Sequence, residues 1–165
     1  ILAQEGHQKF RDFHTQQHIF RQDRTAKGGG VAVYCRDSLQ SNVILSRSIP
    51  KQFELLILKI TLSRNKSLTV AACYRPPSAP SCALDTICEL IAPHLASEFV
   101  LLGDLNWDML NTPPVLQSKL DALNLTQIIK EPTRYNPNSV NKGTLIDVIL
   151  TNWPSKYTLF LYTSD

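Results

Sequence analysis

The chain has 165 residues, 43% of them hydrophobic and 19% charged, with a formal net charge of +3. That length suits one domain with a substantial core, and the composition excludes a disordered chain. No apolar run is long enough for a membrane span and no secretory signal pattern opens the sequence, while so small a positive charge permits a polyanionic partner without demanding one.

Taken in order, Ile1 to Arg24 is weakly patterned, with a short strand expected at His18-Ile19-Phe20. Lys9, Arg11, Arg21, Arg24, Lys27 and Arg36 outnumber Glu5, Asp12 and Asp23 over this region. Such an excess either tracks a phosphate backbone or coats a solvated face, and the second is the commoner case. Gly28-Gly29-Gly30 precedes the strand-like Val31 to Cys35. No Gly-Lys-Ser/Thr follows and no helix starts, so a loop or bulge is expected there. Phe53 to Leu62 is nearly continuous apolar sequence, the pattern of a central strand covered on both faces. Ser63 to Lys66 reads as a hairpin loop and Leu68 to Tyr74 as the returning strand. Tyr74-Arg75-Pro76-Pro77 then stops the pairing. Tyr74 at that strand end is either a donor to a phosphate oxygen or an aromatic lid on the core.

Leu84, Ile87, Cys88, Ile91 and Leu95 recur at helical spacing, with Asp85 in the first turn and Pro93 bending or ending the helix. The most informative stretch follows, Glu98-Phe99-Val100-Leu101-Leu102-Gly103-Asp104-Leu105-Asn106-Trp107-Asp108. It reads as a buried strand running into a tight turn at Gly103. Asp104 at its mouth is costly unless something pairs with it or uses it, and Asn106 adds a donor and an acceptor beside it. Thr112-Pro113-Pro114 reads as a cap and first turn, and Leu116, Leu120 and Leu123 mark a second helix. Leu125 to Ile129 looks like a strand and Glu131 to Lys142 like a polar loop. Thr144 to Asn152 reads as one strand with Asp147 inside it, where an ionised carboxylate needs partners. Tyr157 to Tyr162 reads as the last strand, and Thr163-Ser164-Asp165 puts a further carboxylate at its end.

Cys35, Cys73, Cys82 and Cys88 form no CxxC pair and no histidine stands at ligand spacing, so no zinc site is expected. Reduced thiols, two of them in apolar strands, suit a reducing compartment, nuclear or cytoplasmic. The mixture of strands, hairpins and two helices without a regular βαβ repeat predicts a mixed sheet core with helices outside. Tyr74, Asp104, Asn106 and Asp165 gather at strand ends, and no serine, cysteine or lysine stands beside a histidine base. A site of carboxylates and an amide favours metal-assisted attack by water.

The combination GGGVAVY, CYRPP, LLGDLNWD and TLIDVILTN resembles the endonuclease/exonuclease/phosphatase superfamily, and within it the endonuclease domain of non-LTR (LINE-type) retrotransposons. The likeness runs from about Phe20 to Asp165 within a single domain, residues 1–165. It implies a DNase I-like four-layered α/β sandwich, two mixed sheets face to face with helices outside. It also implies Mg²⁺-dependent nicking of DNA that serves retrotransposition, with a reverse transcriptase domain in the intact polypeptide. By position, Asp104 matches the aspartate that orients or deprotonates the attacking water, and Asn106 its companion at the phosphate. Tyr74 matches a tyrosine donating to a phosphate oxygen, and Asp147 an aspartate orienting a catalytic histidine. Thr144 matches a Ser or Thr beside the target phosphate, and Asp165 an aspartate near the metal.

The pattern also calls for a metal-binding glutamate near the start and a histidine directly after Asp165. Glu5, in Ala-Gln-Glu-Gly-His, does not match the glutamate's setting, and the sequence ends at Asp165. The chain is therefore expected to be a piece truncated at both ends, weakly active or inactive by itself. Two other readings stay open: a non-catalytic nucleic-acid-binding relic, and a phosphoesterase of the same superfamily acting on a non-DNA substrate.

Overall fold

The structure, a computed structural model, describes residues 17–24, 29–135 and 143–158. Strands β1 (Gln17–Asp23) and β2 (Gly30–Arg36) pair antiparallel as a two-stranded ribbon, so the expected strand at His18 to Phe20 is present and longer. Strands β3 (Gln40–Ile49), β4 (Phe53–Ser63), β5 (Lys66–Tyr74) and β6 (Glu98–Asp104) follow. They join β7 (Thr126–Gln127) and β10 (Asp147–Thr151) in a six-stranded sheet of order β3-β4-β5-β6-β10-β7. A second small ribbon pairs β8 (Arg134–Tyr135) with β9 (Gly143–Thr144).

The reading of β4 as a doubly covered strand holds. Phe53, Leu55 and Ile57 join Ala71, Cys73, Phe99, Leu101, Val148 and Leu150 on one face of the sheet. Helices α1 (Cys82–Ile91) and α2 (Pro114–Ala122) pack there through Leu84, Ile87, Ile91, Leu116 and Leu120. Leu56, Leu58, Ile60 and Val70 point the other way, against Cys35, Phe20, Val31 and Val33 of the first ribbon. Period-two alternation thus feeds two apolar layers from one strand. Pairs within the large sheet are antiparallel except β5 with β6, which run parallel and are joined across the face by α1. This is the expected DNase I-like α/β sandwich. The helical layer, the large mixed sheet and part of the second β layer are formed by the described residues.

Several local expectations need correction. β3 has no counterpart in the sequence reading. Gly103 makes no turn; it lies in β6, which continues to Asp104, and the chain turns afterwards. Thr112 does not cap α2: its hydroxyl donates to the Met109 carbonyl at 2.9 Å, while Pro113 precedes the helix and Pro114 opens it. The expected strand at Leu125 to Ile129 shrinks to Thr126–Gln127. The stretch from Thr144 to Asn152 is two elements, interrupted at Leu145 and Ile146, so Asp147 begins β10 and is exposed rather than enclosed. Tyr157 follows a 3-10 turn at Pro154–Lys156, and the rest of the expected last strand lies outside the described residues.

Candidate active site

The sheet register places the candidate residues in one row. Glu54 on β4 lies opposite Tyr74 on β5, Tyr74 beside Asp104 on β6, and Asp104 opposite Asp147 on β10. Residues aligned across a sheet share a face. Here it is the face turned toward the β1–β2 ribbon, because Glu54, Tyr74 and Asp147 alternate with neighbours packed against the helices, Phe53, Cys73 and Val148. The site therefore opens at one end of the large sheet, beside the second β layer.

Gly103 makes this row possible. Its φ is +147°, and a Cβ built there would lie 1.8 Å from the Cys73 carbonyl oxygen. Only a residue without a side chain lets β5 and β6 approach this closely beside Tyr74 and Asp104. Past β6 the chain turns through Asn106 at φ 51°, a left-handed position that asparagine tolerates better than most residues. The Asn106 backbone N–H donates to Asp104 Oδ1 at 2.8 Å, and its Nδ2 donates to the Arg75 carbonyl at 2.8 Å. The Arg75 N–H in turn donates to the Asp104 carbonyl at 2.9 Å. Carboxylate and amide are locked to one another and to the end of β5.

Burial pushes the Asp104 carboxyl above its ordinary range. The Asn106 amide works against that and the negative charge of Asp147 adds to it, with a net upward shift. Asp147 is held from behind, where Thr133 Oγ1 accepts the N–H groups of Ile146 and Asp147 at 3.3 and 3.2 Å. Thr144 stands just upstream on β9, opposite Arg134, whose charge acts favourably on Asp104.

Tyr74, Asp104, Asn106 and Asp147 are thus brought together, with Thr144 nearby in the chain. Asp165 lies outside the described residues. One further member of the row, Glu54, escaped the sequence reading, and Arg24 entered it only as part of the basic stretch. Glu54 is 1% exposed and receives Arg24 in a two-pronged pair, Nε at 2.8 Å and Nη2 at 3.1 Å. The Arg24 guanidinium also lies over the Tyr74 ring, 4.5 Å from its centroid. The signal was a lone acid in an otherwise apolar run, which has to be paired when buried. The two described histidines stand elsewhere: His18 bonds Asp37 at 2.9 Å, and His94 sits in the turn leading into the far end of β6.

No family model matches the sequence, and no curated protein matches it. Solved structures do. An endonuclease/exonuclease/phosphatase family protein from Bacteroides thetaiotaomicron matches with a TM-score of 0.56 at 13% identity, over 82% of this chain and 60% of that one. Truncated TDP2 from Caenorhabditis elegans matches with a TM-score of 0.53 at 14% identity, over 84% and 62%. ANGEL2, a 2',3'-cyclic phosphatase, matches with a TM-score of 0.56 at 11% identity, over 82% and 62%. The chain thus spans about three fifths of the length of these structures. Identities this low speak for architecture alone, and that architecture agrees with the layers and register described above. The chain has the DNase I-like fold of the endonuclease/exonuclease/phosphatase proteins.

Proposed function

We propose that the chain is part of a divalent-metal-dependent phosphodiesterase, specifically a Mg²⁺-dependent DNA endonuclease of the non-LTR retrotransposon type that nicks DNA for retrotransposition. The observation that carries this reading is the register row of Tyr74, Asp104 and Asp147, with the Asn106 amide locked to Asp104.

The donor chemistry fits the metal. Among the described residues no group of three or more His, Cys, Asp and Glu forms a closed metal cage. Mg²⁺ takes one or two carboxylates and keeps several waters, so it needs no closed cage of protein ligands. In this reading Asp165 would hold it, and when bound the metal would neutralise charge building on the phosphate. The chain's own groups do the rest. Asp104, with its raised proton affinity, accepts a proton from the attacking water better than a freely solvated aspartate. The Asn106 amide and the Tyr74 phenol donate to nonbridging phosphate oxygens, and Thr144 flanks the phosphate. Asp147, exposed and with its backbone N–H held by Thr133, orients a histidine.

Loss of preorganised groups costs roughly 100-fold or more each, so the 165-residue chain by itself nicks weakly or not at all. DNA is the partner, and a reverse transcriptase domain accompanies the site in the intact polypeptide. All four cysteines are free thiols, which fits a reducing compartment, nuclear or cytoplasmic. Arg21 and Arg24 are engaged by Asp23 and Glu54, which weakens the case for a purely electrostatic DNA-binding relic.

The test is plasmid nicking with Mg²⁺, on this chain and on a version extended to include the further strands and a histidine after Asp165. Nicking by the extended protein, abolished by Asp104→Ala, is the expected result. Salt-sensitive DNA binding without cleavage by either protein would favour the relic. Turnover of a small phosphate ester with DNA untouched would favour a different substrate.

A further inference from the structure

Arg75 is 4% exposed and has no carboxylate partner among its hydrogen bonds. Its Nη2 donates to the Ala79 carbonyl at 2.6 Å and its Nη1 to the Leu105 carbonyl at 3.3 Å. The guanidinium lies 3.8 Å from the centroid of the Trp107 ring, and its Nε is buried with no hydrogen-bond partner. Burying a guanidinium on two carbonyls and a ring, with one N–H unmet, costs free energy. A methionine or leucine would fill the same space without that cost.

What the arrangement achieves is visible in which atoms it reaches. The Arg75 backbone N–H holds the Asp104 carbonyl, and its own carbonyl holds the Asn106 amide. Its side chain holds the Leu105 carbonyl and the face of Trp107. One residue touches every member of the turn Asp104-Leu105-Asn106-Trp107. The Ala79 contact ties the same side chain to the loop of prolines after β5, so one guanidinium links the turn to that loop. We infer that Arg75 is a positioning residue, whose side chain grips the turn from beneath and thereby fixes the left-handed backbone and the side-chain direction of Asn106. The inference rests on the proposed phosphodiesterase site for its consequence in catalysis, but the grip itself can be tested without any activity.

The experiment has two arms. In ¹⁵N-labelled 165-residue chain, the Asn106 side-chain NH₂ signal is assigned by its loss in Asn106→Asp. Arg75→Met and Arg75→Lys are expected to move that signal to the position of a solvent-exposed amide and to speed its exchange with water about tenfold. The Asn152 NH₂, held by the Leu95 and Ser97 carbonyls, serves as control and stays in place. In the extended protein, Arg75→Met is expected to lower kcat for nicking roughly 100-fold with KM for DNA nearly unchanged. The double variant Arg75→Met/Asn106→Ala then loses no more than Asn106→Ala alone, because the two act as one unit. An unmoved Asn106 signal overturns the inference, as does a joint shift of Asn106 and Asn152, which would mark general loosening. Losses that multiply in the double variant overturn it too. If the extended wild-type protein cleaves no DNA, the functional reading falls, and the Asn106 signal alone decides whether Arg75 grips the turn.

Discussion

Asp104 and Asp108 lie on either side of the same turn, yet folding pulls their carboxyls in opposite senses. Asp104 is raised, chiefly by burial. A carboxyl raised on folding stabilises the fold below its unfolded value, near 3.9, and loses that contribution as pH climbs through the folded value. At neutral pH the ionised Asp104 is therefore a strain on the fold. Asp104→Asn is expected to be more stable than wild type to urea at pH 7, the gap narrowing toward pH 4. Burial also pushes Asp108 upward, but hydrogen bonds from Asn111, Leu145 and Leu110 more than offset it and leave the carboxyl lowered. Its stabilisation is present above the unfolded value and disappears as pH falls through the folded one. Asp108→Ala is expected to cost about 1–2 kcal/mol at pH 7 and little in acid, by urea denaturation across pH. At Gly103 the issue is space. Gly103→Ala sets a methyl against the Cys73 carbonyl and is expected to cost roughly 3 kcal/mol or more, seen as a large drop in the urea midpoint.

Among elements, legibility followed how strongly each one is buried. β4 was plain because both of its faces are covered along most of its length, and β6 because Phe99, Val100 and Leu101 are buried in succession. β3 was invisible: it is an edge strand, mostly exposed, and Ser41, Asn42, Ser46, Arg47 and Ser48 carry no hydrophobic period. α2 was found by its leucines, but its start was misplaced because the Thr112 hydroxyl turns back to Met109 instead of forward to the helix. Asp147 was placed within a strand because Leu145 and Ile146 are apolar, although their backbone pairs with the Asp108 turn rather than with the sheet: Leu145 O accepts Met109 N–H at 2.8 Å. The tie between β4 and the end of the first ribbon rests on Arg24 and Glu54. Breaking a buried pair typically costs 3–5 kcal/mol, but Arg24 is itself 38% exposed, so water can reach the carboxylate it leaves behind. Arg24→Met is expected to lose about 2–3 kcal/mol in urea denaturation. Arg24→Met/Glu54→Gln should recover part of that loss.

At the scale of the molecule, local pattern reached the strands and helices, and the site motifs reached the fold. What pattern could not supply was the row itself. Tyr74, Asp104 and Asp147 become neighbours through sheet register, and Glu54 enters only because β4 lies on the other side of β5. The order of strands explains something further about how such a protein comes to be. β1 with β2, β3 with β4 and β4 with β5 pair with chain neighbours and close early at small entropic cost. The parallel join of β5 to β6 has to wait for α1 to cross the face, and the join of β6 to β10 spans a longer loop still. A refolding chain would therefore recover most of its strand signal first. The end of the sheet that holds Asp104 would assemble last, so a nascent or partly folded chain carries Asp104 and Asp147 apart.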